Sequence, residues 1–250
     1  MRITRTIPAF AATAILAAGT TVGLAASAQA AVACTETALV TAVNAANAAG
    51  GGTVTLTANC TYTLTSSHGD DGVNGPAGLP LITTAITFSG NANTITRATT
   101  APAFRIAQVN SSGSLTLNAV TLSRGSATTA GHNDGGGVLN FGAVTLTGSA
   151  LDNNSAGGKG GGIFSTGTPA AATFTSSTIR SNTAAQGGGL ASDNATFTTT
   201  NTVVTANTTT SNPGGVYRLN GTATLTGTSI TANLPTNCVG SPSTVSGCIG

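Results

Sequence analysis

Between residues 115 and 233 apolar residues alternate with threonines in short runs: Thr145-Leu146-Thr147, Thr173-Phe174-Thr175, Thr196-Phe197-Thr198 and Thr224-Leu225-Thr226. A period of two over so few residues marks strands with one buried face, and the three-and-four spacing of an amphipathic helix is missing there. A second column places an aliphatic residue three positions before an asparagine: Leu151 and Asn154, Ile179 and Asn182, Val204 and Asn207, Ile230 and Asn233. A third is a glycine run closed by an aliphatic residue, in Gly135-Gly136-Gly137-Val138, Gly160-Gly161-Gly162-Ile163, Gly187-Gly188-Gly189-Leu190 and Gly214-Gly215-Val216. The closing aliphatics lie 25, 27 and 26 residues apart and the asparagines 28, 25 and 26, within the range of solenoid repeats. Strands this short cannot bury an apolar face alone, so the repeats must stack and share one core.

Stacking gives each column a task. Asparagine at one corner tolerates the left-handed backbone conformation, and its amide can bond to the asparagines above and below, so Asn154, Asn182, Asn207 and Asn233 are expected to form a ladder. Glycine supplies positive φ at another corner. The pattern resembles a right-handed, single-stranded parallel β-helix. The aliphatic-x-x-Asn element followed by Gly-Gly-Gly-aliphatic resembles the repeats of polymorphic outer-membrane-type proteins, clearly over 115–233 and more weakly over 53–114. The fold class this implies is all-β, a parallel β-helix with an N-terminal capping helix. Seven to nine coils are expected, in a rod about 35–45 Å long at a rung spacing of about 4.8 Å.

Residues 1–30 carry Arg2 and Arg5, an Ala/Ile/Leu-rich run and the small-x-small sequence Ala28-Gln29-Ala30. They read as a bacterial Sec-type signal peptide, which makes the mature chain secreted and extracellular. Residues 31–52 form a capping segment: Leu39, Ala42, Val43 and Ala46 share a helical face, and Gly50-Gly51-Gly52 ends the run. The β-helix follows over 53–233, and 234–250 is a C-terminal cap. Beyond the signal peptide no stretch is long enough to span a membrane.

The net charge of +2 belongs to Arg2 and Arg5; the remaining six cations balance six carboxylates. A chain with no basic cluster has no electrostatic footprint for nucleic acid. Its four cysteines flank the repeats, two before (Cys34, Cys60) and two after (Cys238, Cys248). Behind a signal peptide an even count reads as disulfides, and of three connectivities the local pairs Cys34–Cys60 and Cys238–Cys248 suit a rod with distant ends. Zinc is the alternative, but no CxxC or Cys/His cluster supports it.

The parallel β-helix is also the fold of pectate-lyase-like polysaccharide enzymes, so the acidic residues matter. Asp70-Asp71-Gly72 is the one adjacent carboxylate pair, and it reads as a turn. Polygalacturonase-type hydrolases pair Asp-Asp with Gly-His and Arg-x-Lys; Gly131-His132 occurs, but Lys159 is the sole lysine and no Arg-x-Lys exists. Asp134, Asp152 and Asp193 lie near turns, and the aromatics are few, with Tyr217-Arg218 the best candidate for an exposed contact. No catalytic residue, cofactor or metal site is therefore assigned. The expected function is a non-catalytic, monomeric extracellular structural or adhesion module, whose partner would be a polysaccharide or a cell-surface component. The alternatives are a pectate-lyase-like enzyme and, on the threonine columns, an ice-binding solenoid, against which the uneven coil lengths count.

Overall fold

A computed structural model describes residues 30–211 and 213–250. The signal peptide expected over 1–30 therefore falls, except for Ala30, outside the described residues. The rest is a parallel β-solenoid built on three sheets of twelve, five and four strands. In the twelve-stranded sheet the strands Gly51–Thr55, Ala85–Arg97, Ser114–Ser123, Ala143–Thr147, Ala171–Thr175, Thr196–Thr200 and Thr222–Thr226 stack in parallel. Six inter-strand steps of about 4.8 Å make this face about 29 Å deep.

The solenoid has about five full turns, because the second face is a sheet of only five strands. This is fewer than the seven to nine coils expected. The difference lies in residues 65–84, which form no strand and make only isolated bridges: Gly69 with Ala77 inside the segment, Ala77 with Arg105, and Ile82 with Val109 of the five-stranded sheet. That segment lacks the alternating apolar run a strand needs and so completes no coil of its own.

Core and corners follow from the repeat. Phe88, Leu117, Leu146 and Phe174 stack inward in register and are inaccessible to solvent. Each asparagine of the ladder does two jobs. The Nδ2 groups of Asn154, Asn182 and Asn207 each donate to the Oδ1 of the next asparagine at 2.9–3.1 Å and to a carbonyl of the preceding coil at 3.0–3.1 Å. Asn233 ends the series by donating to Asn237 Oδ1. At the other end Gly125 N–H donates to Asn154 Oδ1, so glycine serves where no further side chain is needed.

The left-handed conformation sits one residue earlier than the sequence reading placed it, at Arg124, Asn153, Ser181, Ala206 and Ala232. The ladder asparagines are thus retained for side-chain hydrogen bonding rather than for backbone freedom. A hydroxyl series that the sequence reading missed runs through the neighbouring corner, where Ser149, Ser177 and Thr202 are all buried. Val120 N–H donates to Ser149 Oγ at 3.1 Å, and Ser149 N–H to Ser177 Oγ at 3.3 Å. In the three Gly-Gly-Gly runs the first member, Gly135, Gly160 or Gly187, has positive φ, and the second has no room: a Cβ on Gly161 would sit 2.5 Å from the carbonyl oxygens of Gly188 and Thr183.

The helix Glu36–Ala48 is capped by Thr35, whose Oγ1 accepts from Ala38 N–H at 3.2 Å, and Glu36 stands in its first turn. It buries Leu39, Val43 and Ala46 against the first strands. Tyr62, beneath this end, donates its hydroxyl proton to Val32 O at 2.7 Å. Cys34 is bonded to Cys60 and Cys238 to Cys248, with Cα separations of 5.8 and 6.2 Å. The terminal coils, which have neighbours on one side only, are each closed by one such bond. Among the described residues no helix is long and apolar enough to cross a membrane.

Candidate functional site

The two longest connections between strands among the described residues are 65–84 and 128–137. Both lie beside the five-stranded sheet, and between them they wall a cleft. Its floor is written in the repeat. Val138, Ile163, Leu190 and Val216 are in register and point into the core, so the following residues, Leu139, Phe164, Ala191 and Tyr217, point outward. With half-buried Phe141 and Leu219 they form a second apolar cluster outside the core.

Lys159 lies across this cluster. Its Nζ is 5.3 Å from the ring centroid of Phe164, 5.8 Å from that of Tyr217, and 3.5 Å from Asp193 Oδ2. Opposite, Asp134 Oδ1 accepts from the backbone N–H of Lys159 at 2.6 Å, which fixes the 128–137 wall to the next coil. Tyr217 is 6% exposed, so the exposed contact expected at Tyr217-Arg218 is not found: the ring lies beneath Lys159, and Arg218 donates instead to Thr244 O at 2.5 Å and holds the C-terminal tail.

Arg105 joins both walls. It is 1% exposed, and its guanidinium donates to Gly75 O at 2.7 Å and Asn74 O at 2.6 Å on one side and to His132 O at 3.1 Å and Asp134 O at 3.2 Å on the other. Burial lowers its pKa to about 10 against the opposing pull of Asp71, Asp134 and Asp70, so it remains charged at neutral pH. Gln108 continues the network by donating from Nε2 to Asp71 Oδ2 at 2.7 Å. Two buried nitrogens at the cleft, Arg105 Nε and His132 Nδ1, have no hydrogen-bond partner.

The cleft has a volume of about 310 Å³. A second depression of about 270 Å³ shares Asn74 and Phe141 with it and extends it toward Asp71 and Asn110. Of the acidic residues considered from sequence, the fold brings Asp134 and Asp193 to one cleft, while Asp70 and Asp71 form the expected turn at its far side. Asp70 Oδ1 accepts from Gly72 N–H at 2.8 Å, and Asp71 Oδ1 accepts from Asn74 N–H at 2.7 Å. Asp152 lies elsewhere, paired with Arg180 at 3.1 Å. His68 pairs with Glu36 at 2.9 Å, beside the capping helix. Among the described residues no group of three or more His, Cys, Asp or Glu could hold a metal ion.

The sequence reading missed Arg105, Lys159 and Phe164 as neighbours. A usable signal was present, since Leu139, Phe164 and Tyr217 each follow the aliphatic that closes a glycine run and must share one outward column. Comparison with family models, with curated proteins and with solved structures gives no match.

Proposed function

We propose that the protein is a secreted, non-catalytic surface-interaction module, a rigid solenoid that holds an extracellular polysaccharide or cell-surface component without altering it. One observation carries this reading: all six carboxylates of the chain accept hydrogen bonds from their own surroundings. Glu36 is held by Thr65, Ser66 and His68, Asp70 by Gly72, and Asp71 by four donors. Asp134 is held by Lys159, Asp152 by Asn153 and Arg180, and Asp193 by Asn194 and Lys159. A general acid at neutral pH needs a carboxyl whose pKa is raised. The two displaced carboxyls move the other way: burial raises both, but hydrogen bonds outweigh it, holding Glu36 at about 2 and Asp71 well below the usual range.

The test is product release from pectin, alginate and neutral polysaccharides, with and without Ca²⁺. The reading expects neither new reducing ends nor unsaturated ends. Turnover that disappears in Asp134→Asn or Asp193→Asn would replace it with the enzyme alternative.

A second reading, ice binding, gains support from the register of the broad sheet. Thr53, Thr87, Thr116, Thr145, Thr173, Thr198 and Thr224 form one column, and the unequal coil lengths are absorbed at the corners instead of shifting it. Hydroxyl and methyl groups then repeat about every 4.8 Å along the stack and about every 6.7 Å along each strand where a second threonine follows. Thermal hysteresis in dilute solution tests this reading, and its absence together with unimpeded ice recrystallisation removes it.

A further inference from the structure

We propose that the twelve-stranded sheet carries, on its outer face, a binding site for the sulfate esters of an anionic glycan. The site is centred on the exposed guanidinium of Arg124 and flanked by Arg97 and Arg180. The proposal rests on the surface-interaction reading above and adds the site and the ligand class.

Beyond residue 30 the six cations and six carboxylates cancel, but the fold separates them. Asp70, Asp71, Asp134 and Asp193 surround Arg105 and Lys159 at the cleft. On the twelve-stranded sheet the balance is reversed. Thr96 and Ser123 are partners in register, so Arg97 and Arg124 follow side by side, and Ser123, Asp152 and Arg180 continue the column. Three arginines thus stand within three inter-strand steps, about 14 Å, against one carboxylate. No basic cluster is visible in the sequence because successive coils bring together residues that lie far apart in the chain.

The one carboxylate is already answered. Asp152, whose side chain is 15% exposed, accepts from Arg180 Nη2 at 3.1 Å and from Asn153 Nδ2 at 2.9 Å, while Arg180 itself is 55% exposed. Arg97 donates to backbone carbonyls, from Nε to Arg124 O at 2.9 Å and from Nη1 to Ala101 O at 2.7 Å, and these leave its charge uncompensated. Arg124 is exposed and forms no ion pair among the described residues. Net positive charge therefore faces solvent beside a recess of about 230 Å³, whose wall includes Arg124, exposed Thr61 and half-buried Thr94. These donors sit on three successive strands, a spread that suits the three oxygens of a sulfate ester better than the planar pair of a carboxylate. All three cations are arginines, whose guanidinium is more weakly hydrated than an ammonium and gives up water to an anion more readily.

The experiment is isothermal titration of the purified protein with dextran sulfate, polygalacturonate and unmodified dextran of matched length. Dextran sulfate is expected to bind at least tenfold more tightly than either of the others. Its affinity should fall at least fivefold when NaCl is raised from about 0.05 to about 0.3 M, because exposed charges are screened over roughly 10 Å or less at such concentrations. Arg124→Gln and Arg180→Gln should each weaken binding at least fivefold. Asp152→Asn removes the only carboxylate beside the arginines and should tighten binding, a direction that a merely structural role for Asp152 does not give. Circular dichroism checks that each variant is folded, and Arg124→Gln, at an exposed side chain, serves where Arg180→Gln is not. Equal or tighter binding of polygalacturonate, no binding of dextran sulfate, or binding unaffected by Arg124→Gln and Asp152→Asn would each overturn the assignment. Those outcomes leave the non-catalytic reading standing, whereas shortening of the bound polymer would remove that reading and keep the site.

Discussion

Replacing Asn182 with alanine strikes the middle of the ladder, where the consequences can be counted. Its side chain is inaccessible to solvent. The Oδ1 accepts from Asn154 N–H at 2.9 Å and Asn154 Nδ2 at 3.1 Å, and the Nδ2 donates to Leu151 O at 3.0 Å and Asn207 Oδ1 at 2.9 Å. Alanine orphans two buried donors on Asn154, each at about 1–3 kcal/mol, and removes a partner from the Leu151 carbonyl. The expected loss is about 3–6 kcal/mol, a large part of the roughly 5–15 kcal/mol available to a domain. With an m value of about 2 kcal/mol/M, the urea midpoint followed by far-ultraviolet circular dichroism should fall by about 1.5–3 M. Asn182→Asp keeps both accepted bonds but turns a carboxylate toward two acceptors, Leu151 O and Asn207 Oδ1. Desolvation and that repulsion favour the neutral acid in the folded state, so its deficit should be largest at neutral pH and shrink as pH falls through the raised folded pKa. A loss below about 1 kcal/mol for Asn182→Ala, or an Asn182→Asp deficit that grows on acidification, would refute the view that the ladder holds the coils together by satisfied side-chain amides.

The folded pKa of Glu36 is depressed from 4.5 to about 2, so the stability it contributes is present above pH 4.5 and lost as pH falls toward 2. Glu36→Gln should therefore be less stable than wild type at pH 6 and converge with it between pH 4.5 and 2 in urea titrations. Reduction of Cys34–Cys60 and Cys238–Cys248 should raise hydrogen exchange in the helix Glu36–Ala48 and in 234–250 while the strands from Ser114 to Thr200 stay protected; uniform loss of protection would contradict their role at the ends. Gly161→Ala, whose Cβ meets two carbonyl oxygens at 2.5 Å, should be poorly folded by circular dichroism. Gly167→Ala, with positive φ but open space, should cost only about 1–2 kcal/mol.

The regular half of the solenoid was legible because there a short sequence motif and a backbone requirement coincide. An inward residue between two threonines sets the strand face, and a small residue is needed wherever coils approach within a carbonyl radius, as at Gly161. The four corner asparagines were visible for the same reason, although their role is hydrogen bonding and the left-handed bend falls on the residue before. The cleft was hidden because its walls, 65–84 and 128–137, follow no period, and because the burial of Arg105 is decided by carbonyls from two distant loops. An arginine in a short apolar run, Phe104-Arg105-Ile106, reads as an outward strand residue by alternation alone. It does point away from the core, but the loops close over it.

The measurement that bears most directly on recognition without turnover is light scattering coupled to size exclusion, applied to a soluble polysaccharide after prolonged incubation with the protein. It reports co-elution and polymer molar mass together. A bound polymer whose molar-mass distribution is unchanged is the predicted result. A falling molar mass, abolished by Asp134→Asn or Asp193→Asn in folded protein, would contradict it.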